Sequence, residues 1–334
     1  MSHQVVVIPG DGIGREVIPA AVEVLRTVLP DLEVVPAEAG WATFERCGVA
    51  VPDETLAAIR AAGAALFGAV QSPARKVPGY RSAILTLRQE LGLYANLRPV
   101  RTMPVPKARP AVDLVVVREN TEGLYVGEER WVREGEVAEA TRRITRGASE
   151  RIGRVALQLA SQRRGRLMIA HKANILPLTD GLFRDAVRAV AAEFPAVAVD
   201  ELLIDVAAYH LAARPERFDV LVAPNLYGDI LSDLAAVWGG GLGLAPSLNL
   251  GAGGVGLAEP VHGSAPDIAG QGIANPVAAI LSVALLVRHT WGQAGPAERI
   301  ERAVNAALAA GAATPDLGGS LTTAGLTAAI RARL

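Results

Sequence analysis

Asp229 and Asp233 stand four residues apart in Asn225-Leu-Tyr-Gly-Asp229-Ile-Leu-Ser-Asp233-Leu. The spacing predicts two carboxylates on one helix face, with Ile230, Leu231 and Leu234 lining the other. Like charges so placed repel by roughly 0.2–0.5 kcal/mol. A divalent cation reverses that sign, and hard oxygen donors suit magnesium or manganese. A solvated helix face with two aspartates is the bland alternative that spacing alone leaves open.

Other charged residues sit where short apolar runs end. Asp205 closes Glu201-Leu-Leu-Ile-Asp205, and the carboxyl end of a strand in an α/β sheet is where ligands gather. Lys172 closes Met168-Ile-Ala-His171-Lys172-Ala-Asn174. Lysine occurs only at Lys76, Lys107 and Lys172 among 33 Lys plus Arg, so a retained lysine suggests work that arginine cannot do, such as losing a proton. Arg88, Arg98 and Arg118 each flank an apolar segment. Brought together, three guanidinium groups would grip two or three carboxylates by bidentate bonds, though surface charge explains each one separately.

Two small-residue loops complete the set. Gly10-Asp-Gly12-Ile-Gly14 follows a strand-like run and precedes a helix-like one, but its G-x-G-x-G spacing departs from the G-x-G-x-x-G dinucleotide fingerprint. His262-Gly-Ser-Ala-Pro-Asp267 could offer backbone N–H groups to a phosphate and a carboxylate to ribose hydroxyls, which would favour NAD over NADP; a plain turn is the alternative.

The elements that must position these residues alternate in a βαβα rhythm. Expected strands are Val5–Ile8, Leu32–Val35, Ala65–Val70, Leu114–Val117, Leu167–Ala170, Leu202–Ile204 and Val220–Ala223. Expected helices include Gly14–Leu29, Glu54–Ala62, Ile84–Leu91, Glu150–Gln162, Leu182–Glu193, Leu226–Trp238, Pro276–Val287 and Ala297–Ala309. The fold class is α/β with largely buried strands. The charged stretch Val126–Gly147 fits neither period and reads as an exposed excursion.

Bulk composition excludes several functions. The chain of 334 residues is 51% hydrophobic and 20% charged, enough for two domains. A net charge of −1 supplies no general field for nucleic acid or an anionic membrane. The lone Cys47 forms neither an internal disulfide nor a thiolate metal site, which fits a reducing cytoplasm. No apolar run is long enough to span a bilayer, and a cytoplasmic location is expected.

Taken together, Pro9-Gly-Asp-Gly-Ile-Gly14, Leu93-Tyr-Ala-Asn-Leu-Arg-Pro99, Arg118-Glu-Asn-Thr-Glu-Gly-Leu-Tyr125, His171-Lys-Ala-Asn174, Gly228-Asp-Ile-Leu-Ser-Asp233, Glu259-Pro-Val-His-Gly-Ser-Ala-Pro-Asp267 and Asn275-Pro276 resemble the β-decarboxylating dehydrogenases of isocitrate, isopropylmalate and homoisocitrate from end to end. The resemblance implies a two-domain isopropylmalate-dehydrogenase-like fold, not a standard Rossmann fold, with the active site in the interdomain cleft. It implies a large cofactor-binding domain of residues 1–98 plus 254–334. Residues 99–253 would form a small domain with the dimer interface and an arm at about 126–147. By the same resemblance Asp229 and Asp233, with Asp205 of a second subunit, hold Mg2+ or Mn2+. Ser72, Leu85, Arg88, Arg98, Arg118 and Asn174 contact substrate together with the catalytic Tyr125 and Lys172, the lysine coming from the partner. Ile13, Glu259, His262, Gly263, Ser264, Ala265, Asp267 and Asn275 bind NAD. The implied state is a homodimer or homotetramer with shared sites, acting on a hydroxy-di- or tricarboxylate.

The segment Ser72-Pro-Ala-Arg-Lys-Val-Pro-Gly79 and the lead-in Glu38-Ala-Gly-Trp-Ala-Thr-Phe-Glu-Arg46 look most like homoisocitrate dehydrogenases. Leu85 departs from the arginine that some bacterial members carry there and suits an isopropyl group. Arg81, at i−4, is the candidate replacement cation. The expected reaction is oxidative decarboxylation of homoisocitrate to 2-oxoadipate in lysine biosynthesis. Isopropylmalate or isocitrate oxidation, or a non-catalytic regulatory subunit, are the alternatives.

Overall fold

The computed structural model describes residues 3–71, 73, 75 and 77–334. The expected substrate residue Ser72 lies outside the described residues. Two compact units form: residues 1–93, 102–109 and 239–334, and residues 94–101 and 110–238. The expectation placed the divisions at 98/99 and 253/254, whereas the units divide at 93/94 and 238/239. The reason is pairing. Residues 95–101 form a strand matched along its length to residues 113–119, and residues 246–250 pair with 256–260.

The first unit starts with strand β1 (Gln4–Gly10), helix α1 (Gly14–Val28), β2 (Glu33–Pro36), α2 (Trp41–Cys47), α3 (Asp53–Ala62), β3 (Ala64–Ala69) and α4 (Ala83–Glu90). The chain then supplies the second unit: β4 (Ala95–Arg101), β5 (Asp113–Glu119), β6 (Glu129–Arg133), β7 (Val137–Ala140), α5 (Arg146–Ser161), β8 (Arg166–His171), α6 (Thr179–Ala191), β9 (Ala198–Leu203), α7 (Ile204–Ala213), β10 (Val220–Ala223) and α8 (Asn225–Gly239). It returns to the first unit with β11 (Pro246–Leu250), β12 (Gly256–Pro260), α9 (Val277–His289), α10 (Ala294–Ala309) and α11 (Thr323–Arg331).

In the first unit the strand order is β2-β1-β3-β12-β11, with only the β11–β12 pair antiparallel among the described pairings. Apolar side chains cover both faces. Val5, Val7, Leu66 and Ala258 pack with α1, α9 and α10, and Val6, Ile8, Ala65 and Phe67 pack with residues of α3 and α4. Strands buried on both faces read as continuous apolar runs, and that is how β1 and β3 were legible. Helix α9 is buried almost all round, so its sequence carries little amphipathic signal.

In the second unit the order is β4-β5-β10-β8-β9, with β4 antiparallel to β5 and the others parallel. Its core joins Leu114 and Val116 of β5, Leu221 of β10, Leu211 of α7 and Leu231 and Ala235 of α8. The excursion expected at 126–147 contains the antiparallel pair β6–β7, whose residues are almost all exposed. Helix α8 corrects one expectation. Leu231 is buried, but Ile230 is 54% exposed and so faces outward with Val237 at 53%. No helix among the described residues is long and apolar enough to cross a membrane.

Candidate active site

The second unit gathers its charged residues at the carboxyl end of β10. Strands β4 and β5 are antiparallel with Asn96 opposite Arg118, so Arg98, two residues along, projects from the same face. Strand β10 lies parallel on the other side of β5 with Ala223 opposite Arg118. Helix α8 begins two residues later and passes directly beside that arginine. Gly228 makes this possible, because a Cβ there would meet the Arg118 Cβ and Cγ at 2.8 Å.

Arg118 is 1% exposed and carries its charge into the protein. Its Nε and Nη2 donate to Asn225 Oδ1 at 3.0 and 2.7 Å, and its Nη1 donates to Asp229 Oδ1. Arg98 Nη1 donates to Asp229 Oδ1 at 3.0 Å, Ser232 Oγ at 2.8 Å and Asp233 Oδ1 at 3.2 Å, while Nε is held by Asn96 Oδ1 at 2.7 Å. Tyr125 OH donates to Asp229 Oδ2 at 2.9 Å, and the Arg118 guanidinium lies 5.1 Å from the tyrosine ring centre. Burial holds the Asp233 carboxyl above its ordinary pKa, with Asp229 adding to the rise and Arg98 opposing both. Asn225, Asn96 and Ser232 are the residues that sequence reasoning passed over. Asn225 and Ser232 stand inside the quoted aspartate motif, a signal that was available.

These residues suit a divalent cation. Asp229 and Asp233 share a helix face and keep 31% and 52% of their side chains exposed, so carboxylate oxygens remain open to a ligand. The buried Asn225 Nδ2 has no hydrogen-bond partner among the described residues, a donor left for a bound oxygen. Asp205 does not join them. It pairs with Lys172 Nζ at 2.5 Å, and no group of three or more His, Cys, Asp or Glu suited to a metal occurs among the described residues.

That pair follows from register. Strands β8 and β9 run parallel with His171 opposite Leu203, so the residues just beyond them are neighbours. Asp205 was expected at a strand end; it lies in the first turn of α7, because β9 stops at Leu203. The Lys172 ammonium draws its carboxyl below the usual range. Asn174 is exposed in the turn after Lys172.

The first unit holds the remaining candidates. Buried Arg88 on α4 donates through Nη2 to Glu259 Oε1 at 2.8 Å, and Asn249 Nδ2 donates to the same oxygen at 2.8 Å. Arg88 Nε is buried without a partner among the described residues. Leu85 is half-buried one turn earlier. Arg81 does not take the expected i−4 place. It precedes the extended N-cap Ser82, outside α4, and its guanidinium is turned onto Gln89.

The Gly10–Gly14 turn is used for packing. Ile13 N donates to Ser264 O at 2.9 Å, and a Cβ on Gly12 would stand 2.0 Å from that oxygen, at a φ of +55°. The Asp11 carboxylate accepts the N–H groups of Trp41, Ala42 and Gln71 at 2.7, 3.1 and 3.0 Å. A Rossmann phosphate loop needs that close approach for the pyrophosphate instead. Ile13 and Ser264 are thus brought together, with His262, Gly263 and Ala265 in the same loop and Asp267 exposed beyond it. His262 Nε2 is buried and without a partner among the described residues, and burial lowers its pKa. Asn275 caps the start of α9 through Val277 N and donates to Asp316. A neutral imidazole, open backbone groups and an exposed carboxylate are chemistry that a dinucleotide can use.

A sequence profile described as isocitrate/isopropylmalate dehydrogenase matches residues 4–330. An isocitrate/homoisocitrate dehydrogenase of Thermus thermophilus is 56% identical over 331 residues, covering 99% of this chain and 98% of the relative. A 3-isopropylmalate dehydrogenase of Methanothermobacter thermautotrophicus is 48% identical over 336 residues, covering 100% and 99%. The crystal structure of isocitrate dehydrogenase from Methylococcus capsulatus superposes with a TM-score of 0.94 at 43% identity, covering 99% of both chains. The chain belongs to the isocitrate/isopropylmalate dehydrogenase family and is a β-decarboxylating dehydrogenase.

Proposed function

We propose that this enzyme oxidises and decarboxylates homoisocitrate to 2-oxoadipate with NAD, releasing carbon dioxide. The observation that carries the reaction class is the convergence of Arg98, Arg118 and Tyr125 on the Asp229 carboxylate. Homoisocitrate is favoured by the likeness of Ser72–Gly79 to homoisocitrate dehydrogenases and by the double name of the Thermus relative.

Arg88, Arg98 and Arg118 bind substrate carboxylates, and their burial keeps water from competing. Asp229 and Asp233 would hold Mg2+ or Mn2+, with Asp205 of the partner subunit as third ligand, and the ion would supply Lewis-acid polarisation of the C2 hydroxyl and support for developing enolate charge. Ile13, the 262–267 loop and Asn275 would hold NAD, which would supply the acceptor for the C2 hydride. Lys172 of the partner subunit takes the C2 hydroxyl proton, directly or through a relay, and Tyr125 OH returns a proton to the carbon that has lost carbon dioxide. Glu259, expected among the NAD-binding residues, fixes Arg88 by its ion pair.

Shared sites require association, and exposed apolar side chains support it. Leu178 at 85%, Tyr209 at 69% and Ile175 at 66% join Ile230 and Val237 on the second unit. A homodimer is the proposed minimum state, and monomers are inactive.

The test is turnover of homoisocitrate, isopropylmalate and isocitrate with NAD or NADP, with and without EDTA. Homoisocitrate with NAD is expected to give the highest kcat/KM, abolished by chelator. Turnover indifferent to EDTA overturns the metal assignment, and none on any substrate promotes the regulatory subunit. Isopropylmalate is the second reading, favoured by aliphatic Leu85 and by the 48% identical relative of that name.

A further inference from the structure

Lys172 is fixed at its main chain, and a carboxylate with no part in the chemistry above does the fixing. Asp180 is fully buried in the first turn of α6. Its Oδ2 accepts the Lys172 backbone N–H at 2.6 Å, while Lys172 O accepts the N–H groups of Ile175 and Leu176, each at 2.9 Å. The turn therefore closes on itself, with Asp180 N donating to Leu176 O at 3.0 Å. The other oxygen, Oδ1, is ion-paired to Arg142, 14% exposed at the base of the 126–147 excursion. The Arg142 guanidinium in turn lies 4.7 Å from the ring centre of Tyr227 on α8, two residues before Asp229. One buried carboxylate thus ties the Lys172 turn to the helix that bears the candidate metal ligands.

We propose that Asp180 is a positioning residue that, with Arg142 as its counter-charge, fixes the Lys172 main chain so that the ammonium swings from one defined root. This rests on Lys172 being the proton-transfer group. A carboxylate suits the task because it accepts from an amide N–H and a guanidinium at once, and burial leaves no water to substitute for either. A mere helix-terminus charge would need no guanidinium and no bond to Lys172.

The experiment measures kcat and its solvent deuterium isotope effect for Lys172→Ala, Asp180→Asn and the double variant, as holoenzyme with Mn2+, NAD and the fastest of the three hydroxy acids. Asp180→Asn is expected to lower kcat roughly ten- to a hundredfold with KM changed less than about threefold and a larger isotope effect. The double variant should lie within about threefold of Lys172→Ala alone, since a lost positioning role cannot be lost twice. Losses that multiply, or a near-normal Asp180→Asn, overturn the proposal while leaving the Lys172 assignment intact. A near-normal Lys172→Ala overturns both. If Asp180→Asn does not fold, Asp180→Glu and Arg142→Lys carry the test, each expected to retain more activity than Asp180→Asn would and to show the same non-additivity with Lys172→Ala; multiplying losses there overturn the proposal equally.

Discussion

The two units arrange their buried polar groups by different means. The second brings charged side chains together: Arg98, Arg118, Asp229 and Asp233 are linked by ion pairs, and Asn225, Asn96 and Ser232 hold the guanidinium groups in place. The first brings backbone together. Gly12 lets Ile13 N reach Ser264 O, and Asp11 spends its carboxylate on three main-chain N–H groups. On the proposed function, buried charge suits a carboxylate-and-metal ligand, while close backbone approach leaves N–H groups and small residues suited to a dinucleotide. Arg88 with Glu259 is the exception, a buried ion pair inside the backbone-built unit.

The largest expected effect falls on proton transfer. Lys172→Arg keeps its partner Asp205 but cannot release its proton at working pH, and kcat should fall about 10²- to 10⁴-fold. Steady-state turnover decides it, and near-normal kcat would contradict the role. Next comes Asp229→Asn, which strips Arg98 and Arg118 of a charge partner. Unpairing a buried charge costs about 3–5 kcal/mol, discounted here because Asp229 is partly exposed. The activation constant for Mn2+ should rise at least about tenfold, read by titrating metal into chelated enzyme.

A pair of glycine substitutions breaks the comparison most directly. Gly12→Ala drives a Cβ into the Ser264 carbonyl, and Gly228→Ala drives one into the Arg118 stem. Overpacking of this kind costs about 1–3 kcal/mol. The first should raise KM for NAD, the second KM for the hydroxy acid, each with little change in the other constant. Equal effects on both constants would mean that the two units do not divide the ligands. Within the first unit, Leu85→Arg should shift kcat/KM towards the tricarboxylate by roughly tenfold or more. A shift towards isopropylmalate would place the pocket wrongly.

The smallest effect concerns stability. Burial, with Arg288 beside it, pulls the His289 pKa down to about 4, so the folded protein holds this imidazole neutral. The unfolded chain binds the proton near its ordinary value of 6.5, so stability is full above that pH and declines as pH falls towards 4. The loss is about 1 kcal/mol between roughly pH 7.5 and 5.5. Burial lowers His171 in the second unit too. Denaturant melts of His289→Asn should therefore show a flatter pH dependence that is still not level; an unchanged slope would mean that His289 titrates normally.

The chain's order of apolar runs, its aspartate pair and its scarce lysines made the α/β class and much of the candidate site legible. Boundaries between elements were less so. Residues 202–204 read as a strand because Leu202, Leu203 and Ile204 are apolar in either period, and only the stop of β9 at Leu203 puts Ile204 and Asp205 on a helix. The edge strand β2 and the exposed β6–β7 pair carry weak patterns, since a strand with one or no buried face is not required to be apolar.

What the sequence determined by itself is the set of reactive groups and their local faces, because helix and strand periods are properties of the backbone. What only the tertiary structure decided is which of them meet. Arg98 and Arg118 lie twenty residues apart in the chain and share a face because β4 and β5 pair with Asn96 opposite Arg118. Both meet Asp229 because Gly228 lets α8 approach. Arg81, a cation at the right spacing on paper, is turned onto Gln89 because the chain has not yet entered the helix. Spacing describes only neighbours along one element, and ionic contacts fall off too steeply with distance for anything but packing to choose their partners.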